Sequence, residues 1–98
     1  MKVLWTDAAV VQLQSIHDYV KKTSPDYAGW VVNRLTKRSV QLGTFPFSGP
    51  IVPEYEINEV RQVIEGSYRI IYLIKEDEEQ VEVLAVIHSS REPLKPLE

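Results

Sequence analysis

The hydrophobic period of the chain changes once, at Phe45-Pro46-Phe47-Ser48-Gly49-Pro50. Before this segment apolar residues recur every three to four positions, and after it they come in short β-rich runs; such a switch restricts a chain to helices followed by a sheet. The segment itself cannot continue a helix. Its prolines lack an amide donor and fix their own torsions, and Gly49 permits a turn.

On the N-terminal side, Lys2-Val3-Leu4-Trp5 is a β-prone run that Thr6-Asp7 ends. Thr6 can cap a helix, and Asp7 suits the positive first turn. From Asp7 to Lys22 the residues Ala9, Leu13, Ile16 and Val20 form one apolar stripe. Ser24-Pro25-Asp26 restarts the chain as a second helix, with Ser24 as cap and Pro25 at the first helical position. Ala28, Val31, Val32, Leu35, Ser39 and Leu42 supply its inner face, and Gly43 is the expected stop. The two adjacent helices predict a hairpin.

On the C-terminal side, strands are expected over about Ile57 to Ile64, Tyr68 to Lys75 and Val81 to His88. Gly66-Ser67 and the acidic turn Glu76-Asp77-Glu78-Glu79 separate them, and turns this short imply an antiparallel meander. The acidic turn should also repel stray edge pairing. Residues 91–98, with Pro93 and Pro96 and little pattern, read as an extended tail. The whole predicts an α+β fold on one domain over residues 1–98: an N-terminal strand, a two-helix hairpin, then three antiparallel strands in one sheet. At 98 residues there is room for a single core.

Composition excludes some chemistry. The chain has no cysteine, so disulfides, a cysteine-based zinc site and a thiol nucleophile are all excluded. Asp, Glu and His do not fall at metal-ligand spacing and no glycine loop cradles phosphate, so no metal and no cofactor are expected. The N-terminus turns polar too soon for a signal peptide and no run is long enough to span a bilayer, which predicts a soluble, cytoplasmic protein without membrane contact. Net charge is −3, against the positive balance usual for proteins that grip phosphate backbones, so direct nucleic-acid binding is disfavoured. Arg34, Lys37 and Arg38 nonetheless cluster in one segment.

Several short motifs, in order, resemble those of the RelE/ParE toxins, nearly end to end. Trp5-Thr6-Asp7-Ala8-Ala9 with Leu13, Ile16 and Tyr19 is similar to the first strand and helix of ParE-type toxins. So are Leu42…Pro46…Gly49, Val60-Arg61-Gln62-Val63, Tyr68-Arg69-Ile70-Ile71-Tyr72 and Val86-Ile87-His88-Ser89-Ser90-Arg91. Two positions depart from the pattern: Pro50 follows the loop glycine where members often have arginine, and Ser90 stands for the first arginine of a His-x-Arg-Arg ending.

The resemblance implies the toxin of a type II toxin–antitoxin system, silenced by a cognate ParD-like antitoxin with a ribbon-helix-helix DNA-binding end. It leaves three activities open. ParE-type members act by protein contact with DNA gyrase and lack a nuclease site; RelE-type members cut messenger RNA on the ribosome; an inactive member would serve only as an antitoxin-binding module or co-repressor.

Ribonuclease chemistry needs a proton-transfer group and convergent cations. The candidates are Arg61, Arg69, His88 and Arg91, with the arginines able to hold a phosphate bidentately. If the acidic turn pairs Lys75 with Gln80, Arg69 lies opposite Val86 and His88 follows on the same face. Each residue also has a structural explanation: Arg69 can lie across the sheet and pair with a glutamate, Arg61 can ion-pair across strands, and His88 can be a hydrogen-bonded strand end. Between residues 54 and 92 the basic residues are Arg61, Arg69, Lys75 and Arg91, outnumbered by acidic ones. That balance favours the gyrase-directed branch over the enzyme.

Partner contact is expected at Trp30, Arg34, Tyr72 and Arg91. On a helical wheel Trp30 lies opposite the inner face and beside Arg34, Lys37 and Gln41. An outward tryptophan either meets a partner or packs on the Phe45–Pro50 loop or the tail.

Overall fold

The computed structural model describes residues 1–90. The expected tail at 91–98, including Arg91, lies outside the described residues. Strand β1 (Lys2–Trp5) leads into helices α1 (Asp7–Lys21) and α2 (Pro25–Thr44), and a short 3-10 turn over Pro46–Ser48 follows. Strands β2 (Val60–Glu65), β3 (Tyr68–Lys75) and β4 (Gln80–His88) complete one sheet in the order β1-β4-β3-β2, with β1 parallel to β4 and the other pairs antiparallel. This is the expected α+β arrangement of a helical pair on a four-stranded sheet.

Both helix starts use the caps legible in the sequence. The Thr6 hydroxyl accepts from the Ala9 amide at 3.1 Å and itself donates to the Val83 carbonyl at 3.0 Å, so one side chain caps α1 and ties it to β4. Ser24 accepts from the Tyr27 amide at 3.2 Å ahead of Pro25 and Asp26. Loss of such a cap costs ~1 kcal/mol. Gly43 does not stop α2, which runs on to Thr44. Its hydrogen is needed because the β1 backbone crosses here: a Cβ would collide with the Met1 carbonyl oxygen and press on Val3.

The core lies between helices and sheet. Ala9, Val31, Leu35 and Leu42 pack on Val63, Ile70, Tyr72, Ile74, Val81, Val83 and Val86. Each fully buried aliphatic side chain contributes ~2 kcal/mol. Among the described residues the one buried polar residue, Ser39, accepts from Trp5 Nε1 at 3.3 Å and donates to the Thr36 carbonyl at 2.7 Å. On the opposite sheet face a smaller cluster of Val52, Val60 and Ile71 is covered by the 51–59 segment, with Tyr55, Leu73, Leu84 and Ala85 around it. Residues 57–59 belong to this segment and not to β2: the Val60 amide closes a turn onto the Ile57 carbonyl.

The acidic turn sets Lys75 opposite Gln80, as expected, with Glu79 in the left-handed region. The register then shifts between Ile71 and Tyr72, where β4 carries Leu84 as an extra residue. Such a bulge exchanges the faces of every residue beyond it. Arg69 therefore stands opposite Ile87 instead of Val86, and His88 stands opposite Tyr68. The expected common surface of Arg69 and His88 is not formed: one points to each side of the sheet.

Candidate functional site

At one end of the molecule, α1, α2, the β2–β3 turn and the end of β4 leave a groove lined by Tyr19, Tyr27, Trp30, Arg34, Tyr68 and His88. Pro25-Asp26 starts α2 so that Tyr27, Trp30 and Arg34 recur at three- and four-residue spacing on its outer side. Trp30 is 53% exposed. Its ring stacks on Tyr27, with centroids 5.4 Å apart and planes 17° from parallel, and the Arg34 guanidinium lies 5.3 Å from its centroid. Arg34 is held there by Glu65, with Nη2 3.0 Å from Oε2. Among the described residues Trp30 thus leans on its own helix, through Tyr27 and Arg34, and not on the Phe45–Pro50 loop; the expected alternative of packing on the tail falls outside the described residues. The helical wheel placed Trp30 and Arg34 on this outer side, as found; Tyr27, one turn earlier at the same spacing, was equally legible, whereas Glu65 is brought in by tertiary structure.

His88 closes the groove from the sheet side. Its ring meets Tyr68 edge-on, at 5.5 Å and 82°, and its Nδ1 accepts from the Ser90 amide at 3.3 Å. The Ser90 hydroxyl lies 3.2 Å from the same nitrogen, so the residue in place of an arginine orients this imidazole.

Tyr72 is fully buried, which removes it from the expected partner contacts. Its hydroxyl donates to the Pro46 carbonyl at 2.8 Å and accepts from the Gly49 amide at 3.2 Å. Burial holds its hydroxyl above the usual phenol range, with the Gly49 hydrogen bond opposing the shift in part. Gly49 has ordinary extended torsions and is required for space: a Cβ would strike the Gln62 carbonyl and the Tyr72 hydroxyl.

Arg61 lies on the same side as Tyr72 and is committed to the loop. Nη1 donates to the Gly49 carbonyl at 3.0 Å, Nε to the Asn58 carbonyl at 2.7 Å and Nη2 to Asn58 Oδ1 at 2.8 Å, while the guanidinium stacks 5.1 Å from the Phe47 centroid. Arg69 lies on the outer face. It holds the Glu54 carboxylate with both terminal nitrogens, at 2.8 and 3.0 Å, and its Nε and Nη2 donate to Gln62 Oε1. The hydrogen bond from Arg69 draws Glu54 below the usual carboxylate range and holds Arg69 above the usual guanidinium value. Arg61, Arg69 and His88 do not converge on any point where a phosphate could sit.

Among the described residues no three His, Asp or Glu side chains gather as metal ligands, and no helix is long and apolar enough to cross a membrane.

The architecture and motifs define a RelE/ParE-type toxin. The family model described as the ParE toxin of type II toxin–antitoxin systems, parDE, matches residues 3–93, and the chain belongs to that family. Its fold is similar to that in the chromosomal ParDE toxin–antitoxin system of P. aeruginosa, with TM-score 0.73 and 23% identity over 90% of this chain and 95% of that one. It is also similar to a chain of a RelBE toxin–antitoxin complex of Mycobacterium tuberculosis, with TM-score 0.61 and 24% identity over 89% and 95%. The isolated E. coli RelE toxin shares the fold at TM-score 0.67 and 15% identity over 93% and 86%. No curated protein matches by sequence.

Proposed function

We propose that the chain acts in the cytoplasm as a growth-inhibiting toxin that binds DNA gyrase and does not cut RNA, and that a cognate ParD-like antitoxin with a ribbon-helix-helix end silences it. The observation that carries this reading is the separation of the basic groups. Cleavage of a ribose phosphate needs a cation on the phosphate and a proton-transfer group within hydrogen-bond reach of the same atoms. Here Arg69 and His88 face opposite sides of the sheet, and Arg61 is spent on loop carbonyls. The absence of such a constellation among the described residues supports action through contact.

The groove supports the antitoxin part of the reading. Exposed Tyr19, Tyr27 and Trp30 side by side offer the kind of aromatic surface that anchors a partner segment. The similar P. aeruginosa and M. tuberculosis structures are both toxin–antitoxin assemblies by name.

The test is induced expression of the chain alone in bacteria, scoring growth, filamentation, gyrase-dependent DNA breaks and transcript integrity. Arrest with filaments and broken DNA is expected. Cut transcripts with intact DNA would establish a ribonuclease instead, and unimpaired growth an inactive, purely regulatory member.

A further inference from the structure

The outer sheet face contains an anion site that the chain fills itself. An arginine fork has two edges on which an oxyanion can dock. In Arg69 the Nε/Nη2 edge is taken by Gln62 Oε1, a neighbour across the β2–β3 ladder, and the Nη1/Nη2 edge is taken by both oxygens of Glu54. The side chain of Arg69 is only 13% exposed, while that of Glu54 is 42% exposed. The cation is thus fixed by the sheet, and the carboxylate is the removable half of the pair.

Glu54 is not what holds its segment down. Val52 is fully buried beneath it, the Val52 amide bonds the Val60 carbonyl, and the Tyr55 and Glu56 amides return to the Val52 carbonyl. The other basic residue of β3 on this face, Lys75, is likewise paired, with Glu82 at 2.9 Å.

We infer that Glu54 is an internal plug: it occupies the open edge of Arg69 and so keeps nucleic-acid phosphates off the outer sheet face, which would bind them in its absence. The geometry favours phosphate as the excluded ligand because its paired oxygens match the same bidentate edge. The tethered carboxylate competes for that edge, and pairing of the strength usual for a part-exposed ion pair weakens phosphate binding there by up to about fivefold. The inference deepens the reading of the chain as a protein-directed toxin, but the two can fail separately: DNA breaks and transcript cleavage report on the target, whereas phosphate binding reports on Arg69.

The test is a titration of wild type and Glu54→Gln with inorganic phosphate and with a short single-stranded RNA. The Arg69 Nε–H signal is followed by NMR, assigned from its loss in Arg69→Lys. Glu54→Gln should bind both probes more tightly than wild type, by up to about fivefold, with the Arg69 signal shifting saturably. Glu54→Ala should behave alike and serves if the glutamine retains the contact. Equal affinities in wild type and both variants, with the Arg69 signal present, would overturn the inference; a gain for inorganic phosphate alone would overturn its assignment to nucleic-acid phosphates.

Discussion

The two faces of the sheet are built on different terms. The inner face is an apolar layer pressed between β-strands and two helices, and the polar groups that enter it, the Tyr72 hydroxyl, Trp5 Nε1 and Ser39, are hydrogen-bonded. The outer face has a small apolar cluster under the 51–59 segment and is otherwise held by Arg69–Glu54 and Lys75–Glu82. Burial without solvent makes the first face strong and unforgiving, while screening by water makes ion pairs on the second weak. The larger share of the buried apolar side chains therefore lies on one face, and the surface chemistry is decided on the other and in the aromatic groove.

Truncation should separate the faces most sharply. Leu35→Ala, at a site 1% exposed beneath the helices, is expected to cost about 3 kcal/mol in urea unfolding, whereas Ile64→Ala, 54% exposed on the outer face, should stay within about 0.5 kcal/mol. Comparable losses at both sites would break the comparison.

Tyr72→Phe sharpens it. The ring would still fill the core, but the Gly49 amide would lose its acceptor and the Pro46 carbonyl its donor, for an expected loss of about 1–2 kcal/mol. A neutral outcome by the same unfolding measurement would mean that Arg61 and the Gln62 amide's bond to the Pro50 carbonyl hold the loop without the hydroxyl.

The smallest effect is on the outer face. Glu54 is more than a third exposed, so after screening Glu54→Gln should cost under about 1 kcal/mol near neutral pH. Its carboxyl sits below the ordinary value in the folded chain, so the unfolded state takes up the proton first as pH falls. The difference between wild type and Glu54→Gln should be full above the usual carboxylate range and disappear as pH drops through the lowered folded value. Unfolding curves at several pH values check this; a gap that persists at the acid end would assign the stabilisation to packing.

The sequence revealed most about what is local. Thr6 and Ser24-Pro25 mark both helix starts, the 3.6-residue stripes mark the face that packs, and the acidic turn sets Lys75 against Gln80. The Leu84 bulge was not legible, because Val81 to Ile87 reads as an unbroken β-run and nothing local distinguishes the extra residue. That one residue decides which side of the sheet His88 takes, and with it whether Arg69 and His88 share a face. Glu54 was equally hidden, since its partner Arg69 lies 15 residues away across a fold that must first exist. At Gly43 and Gly49 the sequence suggested a stop and a turn, but the crossing backbone that makes glycine necessary belongs to other elements.

The most direct measurement is incubation of the purified chain with DNA gyrase and supercoiled plasmid, alongside a translating messenger-RNA reaction. Accumulated gyrase-cut linear plasmid and intact messenger RNA are expected from a gyrase-directed toxin. Cleaved messenger RNA with gyrase unaffected would contradict the account.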